Sequence, residues 1–140
     1  MAAEDPQDIW SSYYMVKKAQ RVAEASEMSK QLLDAGVGAG EDLALDFVHF
    51  GTLQANADSL ARQLSENYNM AVVEAETGDA WLVKGTTRPY GVTLTQEQHI
   101  AWVGFMADVA QSHGCVFSTW SLEAPSLGIR FESEQLSGDT

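Results

Sequence analysis

Apolar residues recur along this chain first at helical spacing, then in alternation, and the switches mark its elements. Ile9, Tyr13, Val16, Ala19 and Ala23 fall three and four residues apart, the period of one helix face. Asp5 as cap and Pro6 in the first turn open this helix, which is predicted to run to about Asp34. Gly36, Gly38 and Gly40 then read as a flexible joint. In the next stretch Leu43, Leu45, Phe47 and His49 alternate with Ala44, Asp46, Val48 and Phe50. Apolar groups on both faces suit a central strand. Thr52 stands where a cap belongs, ahead of a helical stripe of Leu53, Ala57, Leu60, Ala61 and Leu64.

Tyr68 to Lys84 reads as two strands joined by a tight turn at Thr77-Gly78. A two-residue type I′ turn would force Thr77 to positive φ, which a β-branched residue resists. A three-residue loop, Glu76-Thr77-Gly78, is therefore expected. That register pairs Ala75 with Asp79, Val73 with Trp81 and Ala71 with Val83. It turns Val73 and Trp81 toward the helices, and Met70, Val72, Glu74 and Leu82 to the opposite face. Thr95 with Gln98 makes a capping box for a helix carrying Ile100, Val103, Met106, Ala107 and Ala110, and Gly114 closes it. The last strand, Cys115 to Leu122, alternates Val116, Ser118 and Trp120 against Cys115, Phe117 and Thr119, and Pro125 stops it.

The order strand-helix-strand, strand-helix-strand predicts an α+β fold of the ferredoxin-like, split βαβ kind (βαββαβ). Right-handed crossovers would set both helices on one face of a four-stranded antiparallel sheet, with an additional N-terminal helix. The expected organisation is that helix over 1–35, the sheet domain over 36–125 and an acidic C-terminal tail over 126–140. A bare apolar face is unusual on a monomer. The Ile9-Tyr13-Val16-Ala19 stripe, or a second copy of the chain as a homodimer, is expected to cover the face opposite the crossover helices.

At 140 residues and 45% hydrophobic content the chain suits one domain with a substantial core. No run approaches the roughly 18 apolar residues needed to cross a bilayer, and the acidic start, MAAEDPQDIW, does not read as a signal peptide. A single cysteine, Cys115, fits a reducing cytoplasm. The 20 acidic side chains against 8 basic ones leave a net charge of −12. That balance disfavours direct nucleic-acid binding and favours a basic partner.

Catalytic and metal chemistry finds little purchase. His49, His99 and His113 stand in no metal-ligand spacing, and His99 and His113 are too far apart on one helix to share an ion. His49 and Cys115 read as core residues before they read as base or nucleophile. Asp46 and Glu74 could pair across strands, and Lys84, Arg88 and Tyr90 make a basic spot that could take a small anion. The expectation is no catalytic residue, no metal and no cofactor.

Three segments carry a family likeness: LLDAGVGAGEDLALDFVHF from Leu32, LARQLSENYNMAVVE from Leu60, and HGCVFSTWSLEAP from His113. Together they span about Leu32 to Glu123 and resemble the bacterial regulator of ribonuclease E activity B family. The resemblance implies a small acidic cytoplasmic protein of split βαβ fold. It implies a non-enzymatic regulator that binds ribonuclease E outside its catalytic domain and lowers RNA turnover. Glu74, Glu76 and Asp79, with Met70, Val72 and Leu82, are the expected partner-binding residues. The alternative is a small-molecule-binding or enzymatic domain that uses the open sheet face.

Overall fold

The computed structural model describes residues 6–38, 40–88 and 90–133; Asp5 and the tail residues Glu134 and Asp139 lie outside them. The fold is α+β: three helices on one side of a single antiparallel sheet. The elements are α1 (Pro6–Asp34), β1 (Ala44–Gly51), α2 (Gln54–Leu64), β2 (Asn69–Glu74), β3 (Trp81–Thr86), α3 (Gln96–Ser112), β4 (Val116–Ala124) and β5 (Ile129–Glu132). The sheet has five strands in the order β2-β3-β1-β4-β5, where four were expected. The addition comes from the stretch read as tail. Gly128, at φ +67°, turns the chain back, and Ile129 to Glu132 pair with Ala124 to Ser121. Ile129 and Phe131 bury one side of the strand while Arg130 and Glu132 line the other.

The hairpin register differs from the expected one by one residue. Ala75 N–H donates to Ala80 O at 2.9 Å, so the loop holds four residues, Glu76 to Asp79. Gly78 takes the left-handed position at φ +76°, and the Thr77 hydroxyl donates to the Asp79 carboxylate. Glu74 therefore faces Trp81, Val73 faces Leu82 and Val72 faces Val83. The slip exchanges the faces of β2. Met70 and Val72 turn toward α2 together with Trp81 and Val83, while Val73 turns to the uncovered face with Leu82.

In β4 a register shift opposite Val48 and His49 leaves Ser118 as the extra residue of a bulge. Strict alternation would have put Phe117 and Trp120 on opposite faces. The bulge brings them to the same face, stacked at 5.4 Å and 22°. α3 has the expected capping box: Gln98 N–H donates to Thr95 Oγ1 at 3.1 Å, and Thr95 N–H to Gln98 Oε1 at 2.9 Å. The cap predicted at Thr52 is absent; Leu53 occupies the N-cap of α2 with no side-chain bond. Gly36 is more than a joint. Val37 N–H reaches Leu32 O and Gly36 N–H reaches Leu33 O, and Val37 and Leu32 are both buried, which closes α1 with a Schellman turn.

α1 does not cross the free sheet face. It lies beside α3 in the helix layer, burying Tyr14, Ala25, Met28 and Leu32. The Tyr14 hydroxyl donates to Cys115 O and the Arg21 guanidinium to Phe117 O, which ties the helix to the start of β4. The stripe expected to be covering is exposed: Ile9 by 54% and Val16 by 56%. Periodicity points to the wrong phase of burial because Arg21, Glu24 and Ser29, polar residues on the buried side, satisfy one another or groups of α3 and β4.

At the centre of the sheet Phe47 stands opposite Gly85, and its ring fills the space a side chain there would need. A Cβ at Gly85 would come within 2.3 Å of Phe47 Cζ and 2.7 Å of Met70 Sδ. Tyr68 and Trp102 meet the same ring edge-on at 5.0 and 5.6 Å. Gly85→Ala is expected to cost about 1–3 kcal/mol by overpacking, and Phe47→Ala about 3–5 kcal/mol. In a Phe47→Leu background Gly85→Ala should cost less than in the parent. Urea unfolding of the two singles and the double measures that coupling.

Candidate functional site: an uncovered sheet face and an acidic hairpin

The sheet face away from the helices has no covering layer among the described residues. Asp46 sits at its middle, flanked by Thr86 on β3 and Ser121 on β4. Its carboxylate accepts from the Thr86 hydroxyl at 2.5 Å, from Arg88 Nε and Nη2 at 3.2 Å each, and from Arg130 Nη1 at 3.4 Å. Arg88 also donates to Glu123 at 2.6 Å, and Arg130 to Glu132 at 3.2 Å. Partial burial pushes the Asp46 carboxyl up, but the hydrogen bonds from Thr86 and Arg88 and the two guanidinium charges outweigh it. The group is held below the usual carboxylate range. Beside this network lies an open concavity of about 480 Å³, lined by Val48, Lys84, Thr119, Arg130 and Glu132 among others.

Arg88, part of the basic spot read from sequence, is thus neutralised by Asp46 and Glu123. Lys84 is exposed on the open face, and Tyr90 is 77% exposed in the loop. Asp46 and Glu74 do not pair: β3 runs between their strands, and Glu74 lies at the hairpin end opposite Trp81. Arg130 was missed because its neighbours suggested an acidic tail. The alternation Ile129-Arg130-Phe131-Glu132 after a Pro and a Gly was the available signal.

The six residues expected to bind a partner do not form one face. Glu74, Glu76 and Asp79 are exposed together at the tip of the hairpin. Met70 and Val72 are half-buried on the side of α2, and Leu82 is half-buried on the open side.

The candidate catalytic residues are core residues. His49 is fully buried between Phe47 and Phe117, and neither ring nitrogen has a partner among the described residues. His99 accepts from the Trp120 indole at its Nε2, 3.0 Å, so its Nδ1 carries the hydrogen and donates to Ser29 Oγ at 2.8 Å. Burial pushes the Cys115 thiol up to about 11, and its Sγ points at His113 O. His113 bridges Ser59 and Gln63, clasping α2 to the end of α3. Among the described residues no group of three His, Cys, Asp or Glu could hold a metal ion, and no helix is long and apolar enough to cross a membrane.

Neither models of protein families nor curated proteins match the sequence.

Desolvation depresses His49 to about 3 and His99 to about 4, against 6.5 in the unfolded chain. The unfolded state therefore binds protons that the folded state refuses. The stability contributed by the neutral rings is complete above about pH 6.5 and is lost as pH falls toward the folded values. The slope reaches about 1.4 kcal/mol per pH unit for each ring. Urea unfolding across this range should show stability falling with acid, and His49→Leu should lower the slope by about one ring's share.

Proposed function

We propose that this chain is a non-enzymatic regulator that binds a basic segment of another protein. The observation that carries this reading is how its charge is distributed. Lys18, Arg21, Arg88 and Arg130 are each bound to carboxylates of the same chain: Asp108, Glu24, Asp46, Glu123 and Glu132. Glu74, Glu76 and Asp79 have no cationic partner among the described residues and stand exposed at one end of the sheet. From Gln31 onward 15 acidic and 4 basic residues leave −11. A field of that sign repels RNA and speeds the approach of lysine- or arginine-rich chain. Burial of His49, His99 and Cys115 in the core supports a role that needs no side-chain chemistry.

The first four strands with α2 and α3 are read as the split βαβ unit, with β5 as an addition outside β4. With that unit goes the resemblance to regulators of ribonuclease E. In this reading the partner is the non-catalytic part of ribonuclease E, the setting is the bacterial cytoplasm, and the outcome is slower RNA turnover. The concavity beside Lys84 favours a second reading, a small anionic ligand on the open face. A thermal shift by a small phosphate or carboxylate compound, lost in Lys84→Ala, would favour it over the first.

Binding of an arginine-rich segment from the non-catalytic part of ribonuclease E is expected to weaken as salt rises from about 0.05 to 0.3 M, because the screening length shortens. Fluorescence anisotropy of the labelled segment measures this. Naked RNA should give no signal over the same range, and tight RNA binding at moderate salt would sink the proposal.

A further inference from the structure

We infer that the free edge of β2 docks an extended basic segment, which joins the sheet as a sixth strand. The inference rests on the basic-partner reading and says where that partner sits.

Bonding alternates along the ladder between β2 and β3. The Ala75–Ala80 bond makes that pair a hydrogen-bonded one, and by alternation Val73–Leu82 and Ala71–Lys84 are bonded too. The N–H and C=O groups of Met70, Val72 and Glu74 therefore point away from β3 along the outer edge. Among the described residues no strand pairs with them there.

Sheet edges are usually blunted by shortness, by Lys or Pro, or by a bulge. The opposite edge, β5, is blunted: it has four residues, two of them charged. β2 has six residues, NMAVVE, with no Pro, Lys or Arg, and it pairs with β3 in unbroken register. Val73, the fifth of its six residues, is 39% exposed. Such an edge is a template for another strand.

Charge selects the occupant. Glu66 precedes the strand, Glu74 ends it and Glu76 and Asp79 follow in the loop, all exposed. Two copies pairing antiparallel through β2 would bring the Glu74–Glu76 end of each near the Glu66 end of the other. Like charge would meet like on two chains of net −12. A segment alternating lysine or arginine with β-formers gains the backbone bonds of an added strand and opposite charge at both ends.

The test uses the full chain and a labelled peptide of alternating lysine and threonine. Amide exchange with and without peptide is expected to slow at Met70, Val72 and Glu74. Val72→Pro removes an outward N–H that the ladder with β3 does not use, a position where an edge strand tolerates proline. It should weaken binding about tenfold or more while the protein still melts cooperatively. Glu74→Gln with Glu76→Gln, which keeps the backbone groups, should weaken binding and flatten its salt dependence. If the peptide binds but slows amides elsewhere, or binds a folded Val72→Pro variant as tightly, the edge assignment is wrong and the basic-partner reading stands. If neither this peptide nor the arginine-rich segment binds, both fail. A dimer in sedimentation equilibrium, with those three amides protected before peptide is added, would assign the edge to a second copy and overturn the inference.

Discussion

The packing of this protein turns on one ring in one gap. Phe47 lies across Gly85, where a Cβ would clash, so β1 and β3 approach with the aromatic group occupying the missing side chain's place. Around it close Tyr68, from the turn into β2, and Trp102, from α3, whose indole donates to the Tyr68 hydroxyl at 3.0 Å. Phe117 and Trp120 continue the aromatic layer across β4. Interiors pack like crystals, so this cluster aligns α3, the turn into β2 and three strands at once.

The polar groups inside that core explain the position of α1. Trp120 binds His99, His99 binds Ser29, and Arg21 binds both Glu24 and the carbonyl of Phe117. Each is a group that would be costly to bury alone. Together they give the long helix a polar inner side as well as the apolar one of Tyr14, Ala25, Met28 and Leu32. With α1 committed to the helix layer, the other face of the sheet stays open among the described residues and carries an ion network in which Arg88 and Arg130 meet Asp46, Glu123 and Glu132.

The same division of charge shapes the surface. Lys18, Arg21, Arg88 and Arg130 meet carboxylates within the chain, while among the described residues Glu74, Glu76 and Asp79 stand exposed at the hairpin with no cation bonded to them. There an unblunted strand edge and uncompensated carboxylates coincide. Edge and charge act at different ranges. In the proposed complex the field would draw a basic chain in over about a Debye length, and the backbone groups at the edge would offer it hydrogen bonds on contact.

Local pattern was enough to determine which segments become helices and strands from α1 to β4. Helical spacing, alternation, the Thr95–Gln98 box and the left-handed Gly78 and Gly114 are properties of neighbours in sequence. The acid excess and the gathering of Glu74, Glu76 and Asp79 around one turn are equally local. What tertiary structure decided was phase and partnership. One extra loop residue at Asp79 exchanged the faces of β2, and one bulge at Ser118 put Phe117 beside Trp120. A period-two pattern with apolar residues on both faces leaves that choice open, because either face can be buried. Arg130 joined Asp46 only because β5 folded back on β4. α1 buried the side of itself whose polar groups find partners on α3 and β4, and those partners lie some 70 to 100 residues away in the chain. Periodicity within a helix carries no information about contacts at that separation.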